Sequence, residues 1–150
     1  MHVGWNGKFI VTVQNKDGTE QTQIYNVITN AGLNMLRDTL NGTITDGQIK
    51  YLAVGTSSAS VNLSDTQLGN EIFRTEFISQ NVSGTGTLNS NTIILDNEAV
   101  GQLEEVGIFA GSTASSVTNS GIMVSRILFS RNKTNLESIQ FQRVDSIGRG

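Results

Sequence analysis

Two groups of acidic residues have the clearest potential for chemistry in this sequence. Asp96 and Glu98 flank Asn97, and Glu104 precedes Glu105. Acids brought together in space could serve as the two carboxylates of a glycosidase or as oxygen ligands of Ca²⁺. Asp and Asn are also common turn formers. We therefore favour a turn at Asp96 and Asn97 and an exposed strand position for Glu104.

Other catalytic chemistries find little support. His2 is the only histidine and the chain has no cysteine, so Ser–His or Cys–His catalysis and zinc-finger sites lack their bases and ligands. Residues 84–86 (Gly-Thr-Gly) lack the third glycine and the following helix of a dinucleotide fingerprint, and residues 54–58 lack the Lys of a phosphate-binding loop. The sequence predicts no catalytic, cofactor-binding or metal-binding residue, and we expect a protein that is not an enzyme.

The composition lacks the excess of positive charge that binds nucleic acids or anionic membranes. Charged residues make up 15% of the 150 residues and the formal net charge is -3, against about 25% charged residues in an ordinary globular protein. No apolar run approaches the length of a membrane span, and the first nine residues do not resemble a signal peptide. We expect neither nucleic acid nor membrane as a partner, and the lack of cysteine fits a reducing cytosol.

Short runs of β-forming residues, bounded by Gly, Asn and Ser, predict about eight strands. We expect these strands over residues 8–13, 20–26, 49–55, 71–79, 92–95, 103–109, 122–130 and 138–147. One helix is predicted between about residues 29 and 41, because Leu33, Leu36 and Leu40 share a face at helical spacing. Thr29 or Asn30 would cap its start.

These elements predict one mainly β domain over residues 1–150. The expected architecture is an antiparallel β-sandwich, or a related barrel, with one short α-helix docked by its leucine face and a flexible C-terminal tail from about residue 145. The predicted core consists of Phe9, Val11, Leu33, Leu36, Leu52, Val54, Phe109, Ile127, Phe129 and Phe141.

Several surface features bear on partners. The small-residue loop 110–121 is either a mobile tip or a contact arm. Glu71 and Arg74 are three apart on a predicted strand, so we expect them on opposite faces and unable to pair locally. Among charged residues, the strongest candidates for subunit contacts are Arg74, Arg126, Arg131, Arg143 and Arg149. For any single one of them, a solvated face is the more common role. Trp5 beside Asn6, or Tyr51, could stack on a sugar.

The order of short motifs along the chain resembles that of small bacteriophage structural proteins and tail-fibre-like modules. The similarity is carried first by residues 26–36 (NVITNAGLNML), 49–56 (IKYLAVGT) and 64–74 (SDTQLGNEIFR). Residues 103–109, 123–129 and 133–134 continue it. The resemblance implies a β-rich, assembly-prone virion protein and assigns no catalytic or binding residue.

Three functions remain open at this point. The first is a non-enzymatic virion subunit, assembled in the bacterial host cytoplasm, that forms a repeated part of the tail, baseplate or neck/collar. It would contact other virion proteins and copies of itself, since proline-free strand edges favour association. The second is a receptor- or carbohydrate-binding module of a tail fibre that meets a host surface glycan. The third is an enzyme acting through carboxylates.

Overall fold

The computed structural model describes residues 4–149 of the chain. This part of the chain contains nine strands and one helix. In chain order they are β1 (Gly4–Asn15), β2 (Gly18–Asn26), α1 (Asn30–Leu40), β3 (Ile49–Gly55), β4 (Glu71–Glu76), β5 (Ser79–Gly84), β6 (Thr87–Ile94), β7 (Gly101–Ala110), β8 (Ile122–Lys133) and β9 (Ser138–Gly148). A five-stranded sheet has the order β2-β1-β9-β6-β5, and a four-stranded sheet has the order β4-β3-β7-β8. All pairings are antiparallel. The predicted mainly β, sandwich-like fold with one short helix is confirmed, and the sheets do not close into a barrel.

The core lies between the two sheets and follows from the alternation of side chains along each strand. Phe9 and Val11 of β1 and Phe141 of β9 face Leu52 and Val54 of β3, all essentially without exposed surface. Phe109 is also buried, but it packs on the outer face of the four-stranded sheet. The strand part of the predicted core is therefore confirmed, except that Phe129 is only half-buried against it.

Helix α1 packs through a different face from the one predicted. Leu33 and Leu40 are 48% and 81% exposed and Leu36 is half-buried, whereas Gly32 and Met35 are buried. A Cβ at Gly32 would lie 3.1 Å from the Val124 carbonyl oxygen, so the glycine lets the helix approach the β8 backbone closely. The prediction of a docked leucine face was wrong because this close approach fixes the rotation of the helix. The predicted cap is confirmed, since Thr29 Oγ1 accepts from the Gly32 N–H at 3.0 Å.

The segment predicted as one strand over residues 71–79 is two strands in different sheets. Phe77 donates its N–H to Lys50 O beside the four-stranded sheet, and Ile78 donates to Asn91 O of the five-stranded sheet. The chain therefore crosses from one sheet to the other at these two residues. β5 escaped prediction because its sequence, SQNVSG, contains one β-branched residue among polar ones.

A β-bulge in β4 overturns the expectation for Glu71 and Arg74. Phe73 lies opposite Val54, but Glu71 lies opposite Gly55, which makes Ile72 an extra residue on β4. The bulge reverses the alternation, so both side chains reach the same face. Arg74 Nε donates to Glu71 Oε2 at 2.7 Å in a pair that is almost completely buried.

The segment from about residue 145, predicted as a flexible tail, is part of a strand as far as Gly148. β9 continues to Gly148 as a central strand between β1 and β6, and Gly148 lies opposite Gly4. Asp145 is buried, so the strand is retained by its inner contacts as well as by its backbone pairing. The 11-residue α1 falls short of a bilayer crossing, and no helix within residues 4–149 is long and apolar enough to span one.

Candidate binding groove and association surface

A groove of about 530 Å³ lies between α1 and the inner face of the five-stranded sheet. Its walls are mostly apolar and include Trp5, Leu36, Val82, Leu88 and Ile147. Trp5 and Ile147 are paired residues on β1 and β9, on the same face as Phe9 and Phe141. The groove thus continues the sandwich core toward the end of the domain where α1 packs.

A buried ion pair forms the polar part of this region. Arg143 Nε and Nη2 donate to Asp145 Oδ1 at 3.1 and 3.0 Å, while Nη1 donates to Asn26 Oδ1 at 3.0 Å and Ser125 Oγ at 2.9 Å. A Cβ at Gly7 would collide with Nη2, so glycine is needed where the guanidinium passes β1. Burial lowers the pKa of Arg143, against the opposing attraction of Asp145.

Asp145, a residue of the groove wall, uses its two oxygens unequally. Oδ1 accepts both Arg143 bonds and a third from Trp5 Nε1 at 2.8 Å. Oδ2 is buried and has no hydrogen-bond partner within residues 4–149. Buried polar atoms are nearly always paired in folded proteins, and Asp145 Oδ2 is an exception among the described residues.

The aromatic residues considered for sugar binding lie apart. Trp5 is in the groove wall, whereas Asn6 next to it is exposed. Tyr51 packs against the small apolar cluster on the outer face of the four-stranded sheet. Its hydroxyl donates to Glu76 Oε1 at 2.9 Å, which raises the pKa of Tyr51, and Arg74 lies over its ring.

The acidic residues are engaged in structural contacts. Glu98 Oε1 accepts from the Leu95 N–H and closes the predicted turn, while the half-buried Glu104 accepts from a neighbouring glutamine. Glu105 is completely buried and pairs with Arg126 at 2.9 Å. Within residues 4–149, no group of three or more His, Cys, Asp or Glu side chains is arranged to hold a metal ion. His2 lies outside the described residues.

The carboxylate of Glu105 organises the loop between β3 and β4. It accepts the backbone N–H groups of Ser57, Gly69 and Asn70 at 2.8 to 2.9 Å, and Arg126 binds the carbonyls of Ser57 and Ala59. A loop of this length gains a fixed shape from such a buried anchor.

Four of the five arginines predicted at subunit contacts form ion pairs within the chain. Arg74, Arg126 and Arg143 are almost fully buried with carboxylates, and Arg131 binds Glu137 and Glu20. Arg149 is exposed. The sequence contains one indication of these buried pairs. The arginines lie within apolar strand segments, and a charged side chain in such a segment is buried only when it has a partner of opposite charge.

The loop that follows β7 is held by the Glu71–Arg74 pair. Arg74 Nη1 donates to the carbonyls of Ser115 and Ser120 at 2.9 and 3.0 Å, and Glu71 Oε1 accepts from the Asn119 N–H at 3.2 Å. The loop 110–121 therefore has an internal anchor despite its small, uncharged residues.

Arg74→Met is expected to release this loop, because methionine keeps the apolar volume but none of the donors. Amide hydrogen exchange in residues 112–120 should accelerate by on the order of tenfold or more. Exchange measured by mass spectrometry checks this. Arg37→Met, which removes an exposed pair with Asp38, is the matched control and should leave exchange in the loop unchanged. Equal exchange in both variants would contradict the anchor.

A second surface combines an open strand edge with exposed apolar side chains. The outer edges of β2 and β5 have no strand partner in the described part of the chain. Beside β2 lies a depression of about 480 Å³ lined by Tyr25, Val27, Val61 and Leu128, all of them exposed. We call the β2 edge and these four side chains the β2 surface.

Comparisons with known proteins identify no relative. No protein-family model matches the chain, and no curated protein and no solved structure is significantly similar to it. A proposal about function therefore has to be argued from the sequence pattern, the groove and the β2 surface.

Proposed function

We propose that the chain is a non-enzymatic structural subunit of a bacteriophage virion, repeated in the tail, baseplate or neck/collar and assembled in the bacterial host cytoplasm. Its partners would be copies of itself and other virion proteins. The observation that carries the proposal is the β2 surface, where an open strand edge adjoins exposed apolar side chains. The order of phage-like motifs along the chain supports the choice of a virion.

The edges of the two sheets differ in how they are protected. β2 contains one charged residue, Glu20, and β5 contains none, whereas β4 and β8 each carry three. Charged residues, especially lysine, and proline normally prevent an edge from pairing with another chain. The five-stranded sheet thus has two edge strands with almost no charge. Each edge strand of the four-stranded sheet carries three charged residues, and those that are buried, such as Arg74 and Arg126, also protect an edge because inward-pointing charges do not tolerate an added strand.

This difference favours extension of the five-stranded sheet by a neighbouring subunit. An added strand would satisfy the free backbone groups of β2 and bury Tyr25 and Val27, which removes apolar surface from water. Because β2 and β5 are opposite edges of one sheet, joining β2 of one copy to β5 of the next gives a head-to-tail arrangement. Such contacts produce rings when the rotation closes.

The test combines particle analysis with charged variants. We expect purified virions to contain several copies of the chain in contact with neighbours, resolved by electron cryomicroscopy. Tyr25→Lys together with Val27→Lys should abolish incorporation into particles when supplied by complementation. Val100→Lys with Val117→Lys, two exposed apolar positions outside the β2 surface, should incorporate normally. Absence from virions, or a single copy without neighbours, would refute the proposal.

The groove favours a second candidate function, a receptor- or carbohydrate-binding module. An aromatic side chain, Trp5, forms part of the groove wall next to an acid, and aromatic faces commonly stack on sugars. A glycan array with the purified protein tests this candidate. Binding that is lost in Trp5→Ala would support it, and an array without signal would exclude it.

A further inference from the structure

We infer that Val82 on β5 of one copy docks into the depression beside β2 of the next copy, with the two strands paired in parallel and in register. This contact deepens the proposed head-to-tail arrangement and rests on it. The direction of the two edge strands, the row of residues that connects them and the exposure of Val82 lead to this contact.

The topology of the five-stranded sheet fixes the relative direction of its edge strands. Three strands lie between β2 and β5, and all four neighbouring pairs of the sheet are antiparallel. β2 and β5 therefore run in the same direction. When a second copy continues the sheet with its core face on the same side, its β5 lies parallel to β2. Parallel and antiparallel pairs commonly occur together in large sheets.

One row of residues across the sheet ends at Asn26 on β2 and at Val82 on β5. The row passes through Gly7, Asp145 and Leu88, each directly opposite the next. Residues that lie directly opposite each other project from the same face of a sheet, and the buried Asp145 shows that this is the core face. A neighbour that continues the rows without a shift therefore brings its Val82 beside Asn26.

The depression beside β2 is complementary to Val82. Its volume is about 480 Å³, and Asn26 lines it together with the exposed Val27, Val61 and Leu128. Val82 is 83% exposed, the highest value among the large apolar side chains within residues 4–149. Its entry into the depression would remove this side chain from water. Two copies joined through β2 alone across a two-fold axis would leave Val82 exposed, so the head-to-tail contact is favoured.

Engineered cysteines test the register, because the chain contains no cysteine of its own. Gln23 and Ser79 end another row of the sheet, so Gln23→Cys and Ser79→Cys would meet across the inferred junction. Within one copy these positions are four strand spacings apart, roughly 19 Å, which is beyond the reach of a disulfide. Oxidation of the double variant, in concentrated solution and in virions, should give a ladder of disulfide-linked dimers, trimers and larger oligomers.

Thr19→Cys with Ser79→Cys is the matched control. Thr19 lies on the same face of β2 as Gln23 but four residues away, about 13 Å along the strand. This offset pair should give at least tenfold less cross-linked product. Gln23→Cys alone should stay monomeric, whereas a two-fold contact between β2 strands would link it into dimers.

The role of Val82 is tested in the Gln23→Cys/Ser79→Cys background. Val82→Glu should lower the yield of oligomers at least tenfold, because it places a charge in the apolar depression. Adding Leu128→Lys should restore the yield by supplying the opposite charge. Val100→Glu, at an exposed apolar position outside both edges, should leave the yield unchanged.

The contact and the virion role can fail separately. Dimers from Gln23→Cys alone, equal ladders from the offset pair, or an unchanged yield with Val82→Glu would overturn the contact although the chain is present in virions. A ladder from purified chain that is absent from virions would support the contact and refute the virion role. No ladder in either setting would overturn the contact.

Discussion

Glu105→Ala is expected to lower the free energy of unfolding by about 3–5 kcal/mol, the range for breaking a buried ion pair from one side. The substitution leaves Arg126 without its main partner and removes the acceptor for the N–H groups of Ser57, Gly69 and Asn70. Urea denaturation at pH 7 measures the loss. Glu104→Ala, the neighbouring half-buried carboxylate, is the control and should change stability by less than about 0.5 kcal/mol.

The same carboxylate predicts a dependence on pH. Burial is the strongest single influence on Glu105 and opposes ionisation, but the Arg126 hydrogen bond and three backbone donors together outweigh it and lower its pKa. Because the pKa of Glu105 is lower in the folded state, its carboxylate stabilises the fold fully at pH values above 4.5, the ordinary pKa of a glutamate. That contribution disappears as pH falls through the lowered pKa. The stability gap between wild type and Glu105→Gln should therefore narrow below pH 4.5, and a gap that widens would contradict the assignment.

Arg143→Met should be comparably destabilising, by about 3–5 kcal/mol, because it leaves Asp145 buried without its counter-charge. The double variant Arg143→Met/Asp145→Leu removes both charges and should lose less than the sum of the two single variants. A double-mutant cycle by chemical denaturation measures this coupling.

Arg149→Met, at an exposed arginine near the end of β9, is the matched control and should be neutral. Strictly additive losses in the cycle would show that Arg143 and Asp145 do not stabilise the fold as a pair.

The strands were predictable where one face alternates and the turns carry clear signals. β3 has the predicted bounds, and β2 begins at Gly18, whose positive φ closes the tight turn after β1. The polar β5, the bulge at Ile72 and the helix face were not predictable in this way. Each depends on a neighbour distant in sequence, such as the β8 backbone against Gly32, and local patterns do not contain that information.

The groove could not be predicted either, because its residues come from β1, α1, β3, β5, β6 and β9. One local signal was available. In β9, Arg143 and Asp145 continue the alternation of Ile139 and Phe141, which places both charged side chains on the core face. Two opposite charges at successive inward positions of one strand are a sequence pattern that indicates a buried ion pair.

The pairing of Gly4 with Gly148 has a mechanical consequence. β1 and β9 are antiparallel neighbours, so polypeptide attached before Gly4 and after Gly148 would leave the domain side by side. Tension between two such attachments would load the hydrogen bonds of this pair one after another, starting at the outermost, rather than all together. The strands β1 and β9 would separate at a modest force, because only one or two of their hydrogen bonds carry the load at a time. A force applied through the edges of the sheets would instead be shared among several strands.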